Sequence, residues 1–366
     1  MNQHSTIRLV CTGGGSGGHI YPGISVIEHL TSRGMLDRDQ VLWISSDAGE
    51  DHRVLTAHGI AYESIPAGKL RRYWTREHLR ESGRVLSGWT HALRILKAYR
   101  PYCVFSKGGF VSVPVVYAAW MLGIPVISHE SDLDPGLATK VNQVVSSRIC
   151  VPFETSRRYY RVHARVVVTG NPLGRIGDDQ PVPWDLPEDR PCMLIHGGSL
   201  GSASLNTLIW DMLPGIPEDV TVVHVMGTRD ERTPPKREGY YPVGYLEGSF
   251  SRVMRRSDLI VSRAGAGSLW EQAAAKKAMV LLPLGRGISR GEQERNARYF
   301  SEHQAARVHE SGTIDTQQVI RDILQLLGDQ NLREDIGLRA AGLVHTDGAA
   351  RIAECICGYL EGEGET

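Results

Sequence analysis

The 366-residue chain sets 41 lysines and arginines against 41 aspartates and glutamates, a balance that excludes bulk nucleic-acid binding as its business. With 41% hydrophobic and 22% charged residues it is long enough, and apolar enough, for two domains with full cores. No apolar run reaches the roughly 18–20 residues of a membrane span, and no secretory signal is read at the start.

The first predicted strand, Ile7 to Cys11, runs into Gly13-Gly14-Gly15-Ser16-Gly17-Gly18-His19 and then a helix whose apolar face is Ile20, Ile24, Ile27 and Leu30. Pro22 is expected in that helix's first turn, and Gly34 closes its far end. Strand, glycine loop and helix start converge backbone N–H groups and a helix dipole on one point, where an anion can sit. The spacing Gly13-x-Gly15-x-x-Gly18 satisfies the dinucleotide fingerprint, a pattern that many unrelated tight turns also match.

Strands follow at 41–45 and 61–65. The stretch from Ala67 to Trp74 then places Lys69, Arg71 and Arg72 beside Leu70, Tyr73 and Trp74 with no acid. It reads either as a surface for anionic lipid headgroups or as a solvated loop with Trp74 tucked inward. A strand at 103–105 leads to a second glycine turn, Ser106-Lys107-Gly108-Gly109, before an apolar helix at 114–121. The strand at 124–128 ends in His129-Glu130-Ser131-Asp132, at the carboxyl end where open α/β sheets place ligand-facing groups; a capping turn before a helix at 136–144 is the plain alternative. Strands at 148–151 and 164–169 finish this half, and 171–191, with five of the 18 prolines, reads as a linker.

The pattern restarts with a strand at 192–196, the turn Gly197-Gly198-Ser199-Leu200-Gly201-Ser202 and a helix faced by Leu205, Leu208, Ile209 and Met212. Further strands are expected at 220–225, 259–262 and 279–282, a small-residue turn at 263–268, and helices at 316–327, 332–344 and 349–360. The six cysteines are scattered without a C-x-x-C pair, which reads as reduced core thiols of a cytosolic protein. The fold class is therefore α/β, two facing Rossmann-like domains with a ligand cleft between them. A nicotinamide-dependent dehydrogenase, with Asp47 on the ribose, would account for the first glycine loop but leaves the second set unexplained.

Taken together, the loops resemble the MurG family of N-acetylglucosamine transferases. The matching blocks are Gly-Gly-Gly-Ser-Gly-Gly-His-Ile-Tyr-Pro (13–22), Gly-Lys-Leu-Arg-Arg-Tyr (68–73), Phe-Ser-Lys-Gly-Gly-Phe-Val-Ser-Val-Pro (105–114), Ile-Ser-His-Glu-Ser-Asp (127–132), Pro-Gly-Leu-Ala-Thr-Lys (135–140), Gly-Gly-Ser-Leu-Gly-Ser (197–202) and Ser-Arg-Ala-Gly-Ala (262–266). The resemblance implies a glycosyltransferase-B fold with an acceptor-binding, membrane-associating domain at 1–170, a donor-binding domain at 171–345 and a last helix, 346–366, crossing back. It implies UDP-N-acetylglucosamine as donor and a muramoyl-peptide on undecaprenyl diphosphate as acceptor, at the cytoplasmic face of the bacterial membrane, with neither metal nor organic cofactor.

Residue by residue, the resemblance puts Ser16, Gly17 and Gly18 near a diphosphate, with Gly108 and Gly109 in the second substrate loop and Ser199 on the donor phosphates. Leu246 falls at the uracil, Glu271 at the ribose, and Glu292 and Gln293 at the sugar. Ser268-x-x-Glu271 is also the spacing of a helix capping box. Two departures stand out: Gly170-Asn171-Pro172-Leu173 is followed by Gly174, which moves the phosphate-facing arginine to Arg175, and Asp132 stands where an amide is common. An alcohol nucleophile needs a base, for which His19, Glu130 and Asp132 are the candidates.

Overall fold

Runs of four or five mostly apolar residues, buried on both faces, give this chain two all-parallel sheets, the arrangement that helices on either side require. The structure, a computed structural model, describes residues 8–14, 17–47, 51–68, 77–174, 180–184, 186–198, 201–246, 248–285, 290–312 and 314–360. The chain divides into two compact units, 1–174 with 346–366, and 175–345.

In the first unit the elements are β1 (Leu9–Thr12), α1 (Gly17–Ser32), β2 (Val41–Ser46), α2 (Asp51–Ala57), β3 (Ala61–Ile65), α3 (Glu77–Tyr99), β4 (Cys103–Ser106), α4 (Ser112–Met121), β5 (Val126–His129), α5 (Leu137–Asn142), β6 (Arg148–Val151) and β7 (Val166–Val168). The sheet order is β3-β2-β1-β4-β5-β6-β7, every neighbour parallel. The two-residue period of β1 sends Leu9 and Cys11 to one face, against Ile20, Ile24, Ile27 and Trp43, and Val10 to the other, against Leu96, Val115 and Val116. The order reverses between β1 and β4, so their following loops diverge and leave a crevice at the strands' carboxyl ends.

The second unit contains β8 (Cys192–His196), α6 (Ala203–Met212), β9 (Thr221–Val225), β10 (Tyr240–Val243), α7 (Phe250–Arg256), β11 (Leu259–Ser262), α8 (Ala266–Ala274), β12 (Ala278–Leu281), α9 (Glu292–Glu302), β13 (Arg307–Val308), α10 (Thr316–Gly328) and α11 (Gln330–Gly342). Its order, β10-β9-β8-β11-β12-β13, repeats the reversal, now between β8 and β11. The last helix, α12 (Gly348–Leu360), belongs to the first unit, where Ile352, Ala353 and Ile356 complete the core beneath α1. No helix among the described residues is long and apolar enough to cross a membrane.

Three expectations need correction. Pro22 lies in the second turn of α1, because the helix already begins at Gly17. A 23-residue helix, α3, occupies 77–99, where its apolar positions Trp89, Ala92, Leu93 and Leu96 are interleaved with charges and escaped notice. Two further strands, β10 and β13, are edge strands; an edge tolerates Pro242 in one and a length of two residues in the other.

Candidate active site

In the first unit two glycine turns nest. Gly13 leaves β1 at φ +151°, and its carbonyl accepts the Trp43 indole N–H at 2.9 Å. A Cβ on Gly13 would stand 2.9 Å from Lys107 Cβ, and one on Gly109 (φ +78°) 2.8 Å from the Gly14 carbonyl. Any side chain at either position would wedge the turns apart. Gly17 and Gly18 form the start of α1, and Gly108 adopts φ +84° beside Thr139.

His19 follows on α1, half-buried, with Nδ1 3.0 Å from the Lys107 carbonyl. A carbonyl only accepts, so Nδ1 carries the proton and the ring's lone pair is on Nε2. The Lys107 ammonium is buried and donates to His129 Nδ1 at 2.6 Å and to Ser131 Oγ at 2.8 Å. His129 in turn gives Nε2–H to the Gly170 carbonyl at 3.1 Å, and Asn171 Nδ2 donates to the Ser131 carbonyl at 3.0 Å. Burial pushes the lysine down to about 8 against the pull of Glu130 and Asp132, and burial together with the neighbouring ammonium keeps His129 neutral.

Glu130 is committed. One carboxylate oxygen accepts the N–H groups of Ser131 (3.0 Å) and Asp132 (3.3 Å); the other accepts the Gly136 N–H (2.9 Å) and the Thr139 hydroxyl (2.7 Å). It shapes the loop into α5, which is the capping alternative rather than the chemistry of a free base. Asp132 lies half-buried on that loop. Among the described residues no group of three or more histidines, cysteines or carboxylates is gathered to hold a metal.

In the second unit Gly201 (φ +73°) lies so close to the Met226 carbonyl that no side chain fits. Ser202 caps α6 by accepting the Leu205 N–H, and the same oxygen accepts Arg263 Nε at 3.2 Å and Nη2 at 3.1 Å. Arg263 is buried and also donates to the Ser204 hydroxyl at 2.7 Å and the Leu282 carbonyl at 2.6 Å; burial pushes it down to about 10. The guanidinium thus sets positive charge at the mouth of the turn after β8 and ties it to the turns after β11 and β12.

Helix α8 begins at Ala266 with Gly265 as its cap, so Glu271 falls in the second turn and the Ser268–Glu271 capping box does not form. Glu271 is half-buried, and Leu246 turns its side chain into the core of Leu194, Val223 and Val253. Gln293 accepts the Leu284 N–H at 3.0 Å, while one Glu292 oxygen, buried and with no hydrogen bond among the described residues, lies 3.9 Å from Arg290 Nε. Ser16, Lys69, Leu70, Arg71, Arg72, Trp74, Arg175 and Ser199 lie outside the described residues. His129 was noted from sequence at the ligand-facing end of its strand, whereas Lys107 and Arg263 were given no role, although each closely follows a predicted strand at its carboxyl end, which was the available signal.

Residues 9–151 match the glycosyltransferase family 28 N-terminal domain and 192–341 the glycosyltransferase family 28 C-terminal domain. A UDP-N-acetylglucosamine–N-acetylmuramyl-(pentapeptide) pyrophosphoryl-undecaprenol N-acetylglucosamine transferase of Treponema pallidum is 36% identical over 322 residues, covering 84% of this chain and 83% of the relative. The chain belongs to the MurG family. A Clostridium tetani protein of the same name is 36% identical over 302 residues, 81% of this chain and 83% of the relative. The crystal structure of Acinetobacter baumannii MurG shares the fold at a TM-score of 0.74 with 23% identity, over 96% of this chain and 99% of that one. The glycotransferase of kitacinnamycin superposes at 0.75 with 15% identity, over 96% and 98%. A MurG-family chain is a UDP-sugar glycosyltransferase of glycosyltransferase-B fold, and the dehydrogenase alternative is set aside.

Proposed function

We propose that this protein transfers N-acetylglucosamine from UDP-N-acetylglucosamine to the C4 hydroxyl of the N-acetylmuramoyl unit of lipid I, with inversion, forming lipid II for peptidoglycan. The identity of 36% over 84% of the chain with a transferase of that name carries this reading. The first unit is read as the acceptor side. His19, held by Lys107 with its lone pair on Nε2, takes the hydroxyl proton, and Asp132 is the second candidate. Glu130 is read as the organiser of their loop.

The second unit is read as the donor side. Glu271 is assigned to the ribose, the Leu246 backbone to the uracil, Glu292 and Gln293 to the sugar, and Ser199 and Arg175 to the phosphates. The Glu292 oxygen that accepts no hydrogen bond among the described residues supports its part of this assignment, since a sugar hydroxyl can donate to it. Charge gathering on departing UDP is met on the donor side by helix N-termini and the potential of Arg263.

A lipid-linked acceptor calls for peripheral contact with the cytoplasmic face of the membrane. Besides the 69–74 cluster, Trp120 and Met121 at the end of α4 are 56% and 57% exposed. The Trp120 ring lies 6.4 Å from that of Tyr117, whose hydroxyl donates to the Val141 carbonyl, and Leu137, Lys140 and Val144 are exposed nearby in sequence. An apolar patch edged by a cation is suited to a lipid surface. The deciding assay is release of UDP from UDP-N-acetylglucosamine with a lipid I analogue: acceptor-dependent UDP and a β-linked disaccharide product are expected, and acceptor-independent or absent release refutes the reading.

A further inference from the structure

We propose that Lys107 is a positioning residue of the acceptor side: its main-chain carbonyl aims His19, and its buried ammonium ties the loop bearing Asp132 to the segment that leaves β7. This rests on the functional reading above.

Four separate pieces of the first unit meet on this one residue. Its Cβ stands directly over Gly13, and its carbonyl receives His19 Nδ1–H. Its ammonium donates to His129 at the end of β5 and to Ser131 two residues on. Through His129 Nε2–H to Gly170, and Asn171 to Ser131, the same network reaches the chain after β7. Ser25 of α1 fixes that chain again, donating to the Leu173 carbonyl at 2.6 Å. His129 accepts on Nδ1 only because Gly170 claims its one proton, so lysine cannot be replaced there by a group that merely accepts.

A methionine of similar length would fill the slot without burying a charge, which proteins avoid unless the charge does something. Here it offsets Asp132, the acid standing where an amide is common in the family, and holds it on a defined loop. The titratable groups around the ammonium are His129 on β5, Glu130 and Asp132 on the following loop, Cys150 on β6, and, one residue further through His129, His19 on α1. With the ammonium titrating at about 8, its loss falls within an accessible pH range.

The test is steady-state turnover and its pH profile in the full-length enzyme. In wild type kcat should fall on the alkaline side with a midpoint near 8. Lys107→Met should lower kcat about 10–100-fold, the scale of a small misplacement of reacting groups. It should leave KM for UDP-N-acetylglucosamine within about twofold and abolish the alkaline limb. Lys107→Ala should regain rate and limb with added n-propylamine. Ser131→Ala, a milder change should the lysine variants not fold, removes one acceptor of the ammonium and should move the limb to lower pH. A Lys107→Met enzyme with wild-type kcat and an intact limb, or an unmoved limb in Ser131→Ala, overturns the proposal. Absence of turnover in wild type refutes the functional reading instead. Nitrogen NMR of the imidazoles then tests the arrangement alone, which requires His129 protonated on Nε2 in wild type and fails if the proton is on Nδ1.

Discussion

Glu130 separates two accounts of the same residue, and Glu130→Gln decides between them. The side chain keeps its shape but exchanges one oxygen for NH2. Turned toward Ser131 and Asp132, that NH2 would confront two N–H donors; turned toward α5 it meets the Gly136 N–H and the Thr139 hydroxyl, of which only the hydroxyl can rotate and accept. The better orientation therefore orphans one buried N–H, costing about 1–3 kcal/mol, and weakens two charge-assisted bonds by about 1 kcal/mol each. The sum, about 3–5 kcal/mol, corresponds to a fall of roughly 6–20 °C in the melting temperature of a unit this size. Differential scanning calorimetry gives that number, and kcat measured well below the new transition should stay within about tenfold of wild type. A general base predicts the opposite pair, unchanged melting with about 10²–10⁴-fold loss of kcat. That outcome would refute the structural role derived from the four hydrogen bonds.

Gly109→Ala forces a Cβ into φ +78° and 2.8 Å from the Gly14 carbonyl; it should cost about 1–2 kcal/mol in conformation alone and lower turnover more than tenfold, checked by urea unfolding and UDP release. Replacing Trp120 and Met121 together by glutamate should weaken sedimentation with anionic vesicles at least tenfold while leaving turnover of a water-soluble acceptor analogue unchanged. The second unit should be acid-sensitive. Burial holds His196 and His224 down to about 4, whereas unfolded histidine titrates near 6.5, so the unfolded chain takes up protons first and stability present above 6.5 is lost progressively toward 4. Unfolding midpoints of His224→Gln should show a shallower pH slope between those limits than wild type.

The strands and glycine turns were legible because a buried parallel strand is a short apolar run and a tight turn against a neighbour's backbone admits only glycine; β1, β4 and β8 carry both signals. Helix α3 was not, because its apolar stripe alternates with arginines and a lysine that face water. The candidate site divides along the same line. His19, Gly108 and Gly109 sit inside motifs whose spacing is local. Lys107 meets His129 and Gly170 only through the sheet order β1-β4-β5 and the return after β7, contacts that sequence spacing does not encode. Glu130 was seen in the right place, but its assignment depended on counting hydrogen bonds. Glu271 shows the converse: the capping box satisfied by its spacing dissolves because the helix starts three residues too early.

The return of α12 to the first unit also fixes the order of events at the ribosome. Ile352, Ala353 and Ile356 cover apolar side chains of α1, β1 and β4 that emerge before the second unit is made. The second unit lies wholly between, about 170 residues long. At 5–20 residues per second the early half therefore waits on the order of ten to thirty seconds for the piece that seals it. During that interval its bare strip is an opening for chaperones, and the later-made unit can be finished before the earlier one.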